Sequence, residues 1–363
     1  MKGLKTIICM IGTRPEVIKM VPVIRALKAS TWAKCVVVAT AQHRKLLDQM
    51  LQRFNVTVDY DLDLMQANQG LNQLIARMLP ELDEIIKKEQ PYALIAQGDT
   101  ATVFGSALAA FNAQVLFGHI EAGLRTYNLQ HPFPEEGYRQ MVSRITQWHF
   151  APTIEAAENL KNEGIDPNKI YVTGNTCIDT LLQTVCEQLA QEKAQKRTIL
   201  LTAHRRENFG QPLINIFTAI LEILKKHPDV DVLYPVHPNP NVQKLAYKML
   251  GGHERISLCE PLDYFEFVAA MQNAYIILTD SGGVQEEAPS LKKPVLVLRA
   301  TTERPEAVQA GASHLVGADI ERITQEVGCL LEDESYYGSM QTEKSPFGDG
   351  HAGMKIVSII ENN

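Results

Sequence analysis

The chain lacks most of the short signatures that announce a chemistry outright. Its 363 residues contain no Cys-x-x-Cys pair, no histidine and carboxylate spacing suited to zinc, no Walker-type phosphate loop and no serine elbow. Those absences set aside the common zinc sites, P-loop nucleotidases and elbow-type hydrolases. The first strand-like run leads into Gly12-Thr13-Arg14-Pro15-Glu16 rather than Gly-x-Gly-x-x-Gly, so the usual dinucleotide fingerprint is missing there. Positive charge is not in excess. With a net charge of −7, no broad electrostatic hold on nucleic acid or anionic membrane is expected, and an anionic ligand would need local basic groups or backbone amides. No apolar stretch approaches a membrane span, and Met1–Lys5 carries no signal-peptide pattern, so a soluble, cytoplasmic protein is expected. Six cysteines, at 9, 35, 177, 186, 259 and 329, fall partly in apolar runs and read as thiols of a reducing compartment.

What is present is an alternation of short apolar runs and longer helical patterns, the mark of parallel α/β architecture. The length and the 45% hydrophobic content fit two domains, each with its own core. Thr6–Ile11 reads as a strand, and the turn after it carries Arg14. A helical face of Val17, Met20, Val21, Ile24 and Leu27 follows, with Lys19 beside it. Pro22 inside that pattern should kink the helix or mark a short first piece. Arg14 and Lys19 stand where an open sheet presents groups to a ligand, or else on a solvated helix face. Ala93–Ala96 ends in Gln97-Gly98-Asp99-Thr100, where Asp99 either meets a ligand or caps the next helix. Val115–Phe117 leads to Gly118-His119-Ile120-Glu121, and a Pro-rich loop then carries Glu135 and Glu136. Asp99, Glu121 and Glu135 supply what proton transfer requires, provided the fold makes them converge.

A polar stretch, Glu187–Arg197, marks the way into a second half, with the domain boundary between 174 and 197. That half repeats the first in outline: Thr198–Thr202 ends in Ala203-His204-Arg205-Arg206-Glu207-Asn208, Val232–Val236 in His237-Pro238, and Val295–Leu298 in the charged run Arg299–Glu306. The most suggestive stretch is Thr279-Asp280-Ser281-Gly282-Gly283-Val284-Gln285-Glu286-Glu287. Residues without side chains at a helix start let amides approach a ligand, and the helix dipole favours a phosphate there. Glu286 and Glu287 lie about one turn on, placed to accept hydrogen bonds from sugar hydroxyls. Alone, such a triplet is more often an ordinary serine-capped loop.

As an ordered set, Gly12–Lys19, Gln97–Thr100, His119–Arg125, Pro134–Glu136, Thr202–Asn208, Asp280–Glu287 and Thr302–Glu306 resemble the non-hydrolysing UDP-N-acetylglucosamine 2-epimerases of bacteria, over nearly the whole chain. The resemblance implies the GT-B architecture, two Rossmann-like α/β domains facing across a cleft. The domains would be 1–174, with the helix 352–363 packed back on it, and 175–351, with hinges near Gly174 and Gly348. It also implies reversible conversion of UDP-N-acetylglucosamine to UDP-N-acetylmannosamine by elimination and return of UDP through a 2-acetamidoglucal, without metal or other cofactor. The catalytic groups carried over are Asp99, Glu121, Glu135 and His204. Arg14, Lys19, Ser281, Gly282 and Gly283 would bind substrate, with Glu287 on the ribose. Gln42, His43, Glu136, Arg206 and His237 match much of an allosteric UDP-N-acetylglucosamine site, although Asn68 and Lys45 depart from the family pattern. A homodimer serving surface-polysaccharide synthesis is the implied setting. The competing expectations are a hydrolysing epimerase, a retaining glycosyltransferase on the same scaffold, and a catalytically silent UDP-sugar sensor.

Overall fold

A computed structural model describes residues 3–40, 44–66, 69–188 and 197–363, with the backbone alone for 44–47. The chain divides into two compact units, Met1–Thr180 with Phe347–Asn363, and Leu181–Pro346.

The first unit is built on a parallel sheet whose strands are β1 (Lys5–Ile11), β2 (Ala33–Ala39), β3 (Tyr60–Asp61), β4 (Ala93–Gln97), β5 (Leu116–Ile120), β6 (Trp148–Ala151) and β7 (Ile170–Val172). Their order is β3-β2-β1-β4-β5-β6-β7. The chain therefore runs outward to one side, returns, and runs outward to the other, which makes β1 and β4 the switch point where an open sheet binds ligands. The strands are apolar on both faces because helices cover both. Strand β5 is longer than the sequence suggests: it pairs with β4 as far as Gln97↔Ile120, which puts His119 inside the sheet and makes Glu121 the first residue beyond it.

The first helix, Arg14–Ala29, continues past Pro22 instead of ending there. Proline at that position withdraws the amide that would have bonded the carbonyl of Ile18. That carbonyl accepts instead from the Thr180 hydroxyl, at 2.6 Å. On the same helix, Gly353 of the helix Ala352–Asn362 lies so close that an added Cβ would meet Pro22 backbone atoms at 2.8–3.0 Å. The start of that last helix is held by Asp179, which accepts from the amides of Ala352 (3.1 Å) and Gly353 (2.7 Å). These contacts explain why the division falls after Thr180 rather than after 174. The helix Thr176–Glu187 is continuous, and its first turn belongs to the first unit. The return falls at Phe347 rather than 352, since the Phe347 carbonyl accepts from the Asn175 amide at 2.7 Å. Gly174 and Gly348 lie back to back there, both at positive φ (+92° and +129°).

The second unit repeats the design with β8 (Arg197–Thr202), β9 (Val230–Pro235), β10 (Ile256–Cys259), β11 (Ile276–Thr279), β12 (Val295–Val297) and β13 (Ser313–Leu315), in the order β10-β9-β8-β11-β12-β13, all parallel. Its core joins β8, β9 and β11 to the helices Gln211–Lys226, Pro240–Leu250 and Ile320–Glu332. The switch point falls between β8 and β11, so the ends of these two strands are the stretches that begin at Ala203 and Asp280. Among the described residues, no helix is long and apolar enough to cross a membrane.

Candidate active site

In the first unit the polar groups gather at the carboxyl ends of β1, β4 and β5. Glu121 sits at their centre. Its Oε1 is paired with the Lys19 ammonium and accepts from Asn175 Nδ2 at 3.2 Å, while Gln97 Nε2 donates to Oε2. Three elements thus aim one carboxylate. Glu121 also has φ +66°, a left-handed backbone that costs a glutamate roughly 1–2 kcal/mol. Such strain persists only where surrounding contacts over-determine it.

Asp99 does not cap the next helix. The cap is Thr100, whose side chain accepts from the Val103 amide at 3.4 Å. Asp99 Oδ2 is instead gripped by Arg139, at 2.9 Å from Nε and 2.6 Å from the terminal nitrogen. Arg139 also reaches Glu136 at 3.4 Å. Glu136 is wholly buried and accepts from the amides of Thr126 (3.0 Å) and Tyr127 (3.1 Å) and from Gln140 (2.8 Å). Burial works to raise its carboxyl, but these hydrogen bonds and Arg139 hold it below the usual range. Its oxygens therefore organise the Pro-rich loop. The side chains of Glu135, half-buried at the start of the helix Glu135–Ile145, and of Arg14, half-buried after β1, make no hydrogen bond or ion pair with any other described residue.

Glu16 joins the two turns at the switch point. It accepts from the amides of Gly12 (2.5 Å) and Thr13 (2.9 Å) and from the Thr100 hydroxyl (2.6 Å), so the turn carrying Arg14 and the turn carrying Asp99 share one buried strut. Burial pushes its carboxyl up to about 7, against the pull of those hydrogen bonds. Behind β5, His119 donates from Nε2 to the Gly98 carbonyl at 2.7 Å, a contact only the protonated nitrogen satisfies. Burial holds its imidazole down at about 4, and that of its neighbour His149 on β6 at about 3. Neither Glu16 nor these histidines carried a role in the sequence reading.

In the second unit Ser281 occupies the cap position of the short helix Gly282–Glu287 but makes no side-chain cap bond, so the ordinary serine-capped loop is not what forms. Arg205 and Arg304 bring guanidinium nitrogens to 3.9 Å from where a Gly282 Cβ would stand. Two cations thus overhang residues whose backbone is bare. Glu286, expected to face sugar hydroxyls, is buried and taken up by Arg304. Glu287 is largely buried too, with the Tyr264 hydroxyl donating to its Oε1 at 3.4 Å. His204 lies partly buried at the end of β8, its ring stacked on that of His237 (centroids 5.3 Å apart, 13° between planes). Arg206 and His237 are exposed. Gln42, His43 and Asn68 lie outside the described residues, as does the side chain of Lys45. Arg205 and Arg304 are the binding candidates that sequence reasoning passed over. The signal was there, charged clusters directly after β8 and β12, but not their convergence.

Two doubly wound parallel units, one bearing carboxylates at its switch point and the other guanidinium groups over a glycine helix start, define the GT-B class of α/β protein. The family model described as UDP-N-acetylglucosamine 2-epimerase matches residues 25–361. A UDP-N-acetylglucosamine 2-epimerase of Bacillus subtilis is 47% identical, covering 99% of this chain and 96% of its own, and one of Yersinia pestis is 45% identical over 98% of each. Among solved structures, a putative UDP-N-acetylglucosamine 2-epimerase of Listeria monocytogenes superposes with a TM-score of 0.94 at 43% identity, over 99% of this chain and 96% of that one. The enzyme of Neisseria meningitidis, bound to UDP-GlcNAc, does so at 0.89 and 44%, over 99% and 100%. The chain belongs to the UDP-N-acetylglucosamine 2-epimerase family, the one its motifs resemble, and is therefore an enzyme of the isomerase class.

Proposed function

We propose that the protein interconverts UDP-N-acetylglucosamine and UDP-N-acetylmannosamine without net hydrolysis, by eliminating UDP and adding it back across a 2-acetamidoglucal. The hydrogen at C2 is not acidic, so direct abstraction would be slow, whereas loss of the diphosphate as a leaving group turns the step into an elimination. The observation that carries the reading is the Glu121 carboxylate, held by Lys19, Gln97 and Asn175 in a backbone conformation that glutamate disfavours. A base so fixed needs no reorganisation when the proton moves. Asp99 and Glu135 complete the acid–base set, with Arg14 beside them. Ser281, Gly282 and Gly283, with Arg205, Arg304 and His204, stabilise the departing diphosphate and keep UDP for the return. Glu287 serves the ribose. Arg206 and His237, exposed on the second unit, are its candidates for a regulatory UDP-N-acetylglucosamine site.

The working form is a cytoplasmic homodimer. Exposed Phe111 and Met141, on helices packed against each other, support an interface on that side of the first unit. Sedimentation velocity tests it. The reaction itself is tested by incubating the protein with UDP-N-acetylglucosamine in D2O and following the sugar by NMR. Deuterium at C2 together with UDP-N-acetylmannosamine is the expected result. Free N-acetylmannosamine would make the enzyme a hydrolase, and an unchanged substrate would make the chain a sensor.

A further inference from the structure

Asp280 follows β11 directly and is completely buried. Its two oxygens have different surroundings. Oδ2 accepts three hydrogen bonds, from the amides of His204 and Arg205 (2.8 Å each) and from Asn208 Nδ2 (2.9 Å). Oδ1 is buried with no hydrogen-bond partner among the described residues, and it lies 3.4 Å from His204 Nδ1. A buried carboxylate oxygen left unpaired is costly, and catalytic hydrogen bonds often tighten only once substrate is bound. A carboxylate oxygen can only accept. The hydrogen must therefore sit on Nδ1, which leaves Nε2 with a lone pair when the ring is neutral. The His237 ring stacked on His204 limits how far the imidazole can turn away.

We propose that Asp280 is a positioning residue for His204: it fixes the Nδ1–H tautomer and stabilises the imidazolium, whose Nε2–H gives its proton to the diphosphate as it leaves and takes it back as UDP returns. This rests on the reading above in one respect, that His204 meets the diphosphate. The titratable and charged groups around the ring are Asp280, His237 and Arg205. Burial holds the imidazole below its ordinary range, His237 and Arg205 press the same way, and Asp280 opposes them.

The substitution Asp280→Asn separates this role from a merely structural one. Three donors converge on the Oδ2 position, so the amide oxygen must take that place and the amide NH2 must face Nδ1. His204 would then accept at Nδ1 and carry its hydrogen on Nε2. In the full-length chain labelled with 15N-histidine, with His204 assigned by its loss in His204→Gln, the unsubstituted protein should show a protonated Nδ1. Asp280→Asn should invert the tautomer, lower the His204 titration midpoint and reduce kcat by about 10²-fold or more, with a smaller change in KM. A protonated Nε2 in the unsubstituted protein would overturn the proposal, and that measurement requires no variant to fold. An unchanged tautomer in Asp280→Asn would overturn it as well. Inversion in a protein that shows no epimerase activity would uphold the positioning and overturn the functional reading instead.

Discussion

The two units share a sheet order and place their polar residues at equivalent strand ends, yet they use acidic side chains in opposite ways. In the first, Glu121 and Asp99 are presented beyond the strands and other residues hold them: Lys19, Gln97 and Asn175 for one, Arg139 for the other. In the second, Asp280 is drawn inside, where it gathers the backbone after β8, while Arg205 and Arg304 overhang Gly282. The same scaffold thus supplies a proton-transfer surface when carboxylates point out, and an anion-binding surface when the carboxylate turns inward. The charge at a switch point is set by which side chains the turn buries, not by the sheet.

That division can be broken from either side. Glu121→Gln should lower kcat roughly 10²–10⁴-fold, the range for a lost acid–base group, while UDP affinity measured by calorimetry stays close to that of the unsubstituted protein. Equal losses in both would mean the units do not divide the work. The two arginines should then part company. Arg304→Ala removes an ion pair from buried Glu286 and should cost about 3 kcal/mol of stability besides weakening UDP binding. Arg205→Ala, with no such partner among the described residues, should weaken UDP roughly 10- to 100-fold and leave the melting temperature in place. A destabilised Arg205→Ala protein would show that this side chain supports the fold.

Acid should act on the first unit. His119 and His149 are held at about 4 and about 3 in the fold, below their ordinary 6.5, so the unfolded chain binds protons first. Stability is then lost as pH falls from about 6.5 through 4 to about 3. Glu16 has the opposite sign, because its folded carboxyl, at about 7, is raised, and its contribution fades as pH rises from about 4.5 to 7. The two histidines outweigh it, and His149→Phe should flatten the acid limb of melting temperature against pH. An unaltered limb would place the sensitivity elsewhere. The smallest expected effect is Thr180→Val, which removes the donor to the Ile18 carbonyl and should cost about 1 kcal/mol in denaturant unfolding.

Much of the fold was legible because strand runs, glycine turns and helical faces are local patterns. The motifs at strand ends were legible for the same reason. What escaped were the partnerships. Pro22 reads locally as a break, but Thr180 repairs the backbone across the first unit. Asp99 and Ser281 both sit where caps belong, and neither acts as one, because Thr100 takes the first position and the second goes without a side-chain cap. Glu286 looks ligand-facing until Arg304 is found beside it. No periodicity records which side chain meets which across such separations in the chain. Sequence could name the charged clusters after β8 and β12, but only the sheet, by setting β8 against β11 and β11 against β12, brings them to one glycine.

The bond between Asn175 and Phe347 sets an order of assembly. The chain leaves the first unit at Thr180 and re-enters it at Phe347, so everything between belongs to the other unit. A ribosome therefore delivers the complete second unit before the helix that closes the first. Until Ala352 and Gly353 emerge, Asp179 lacks its amide partners, and the face of the first helix around Pro22 stays uncovered. The unit whose strands are made first is thus finished last. Asn175, which donates to Glu121, is also one end of that final clasp, so the carboxylate gains its full set of neighbours as synthesis nears its close.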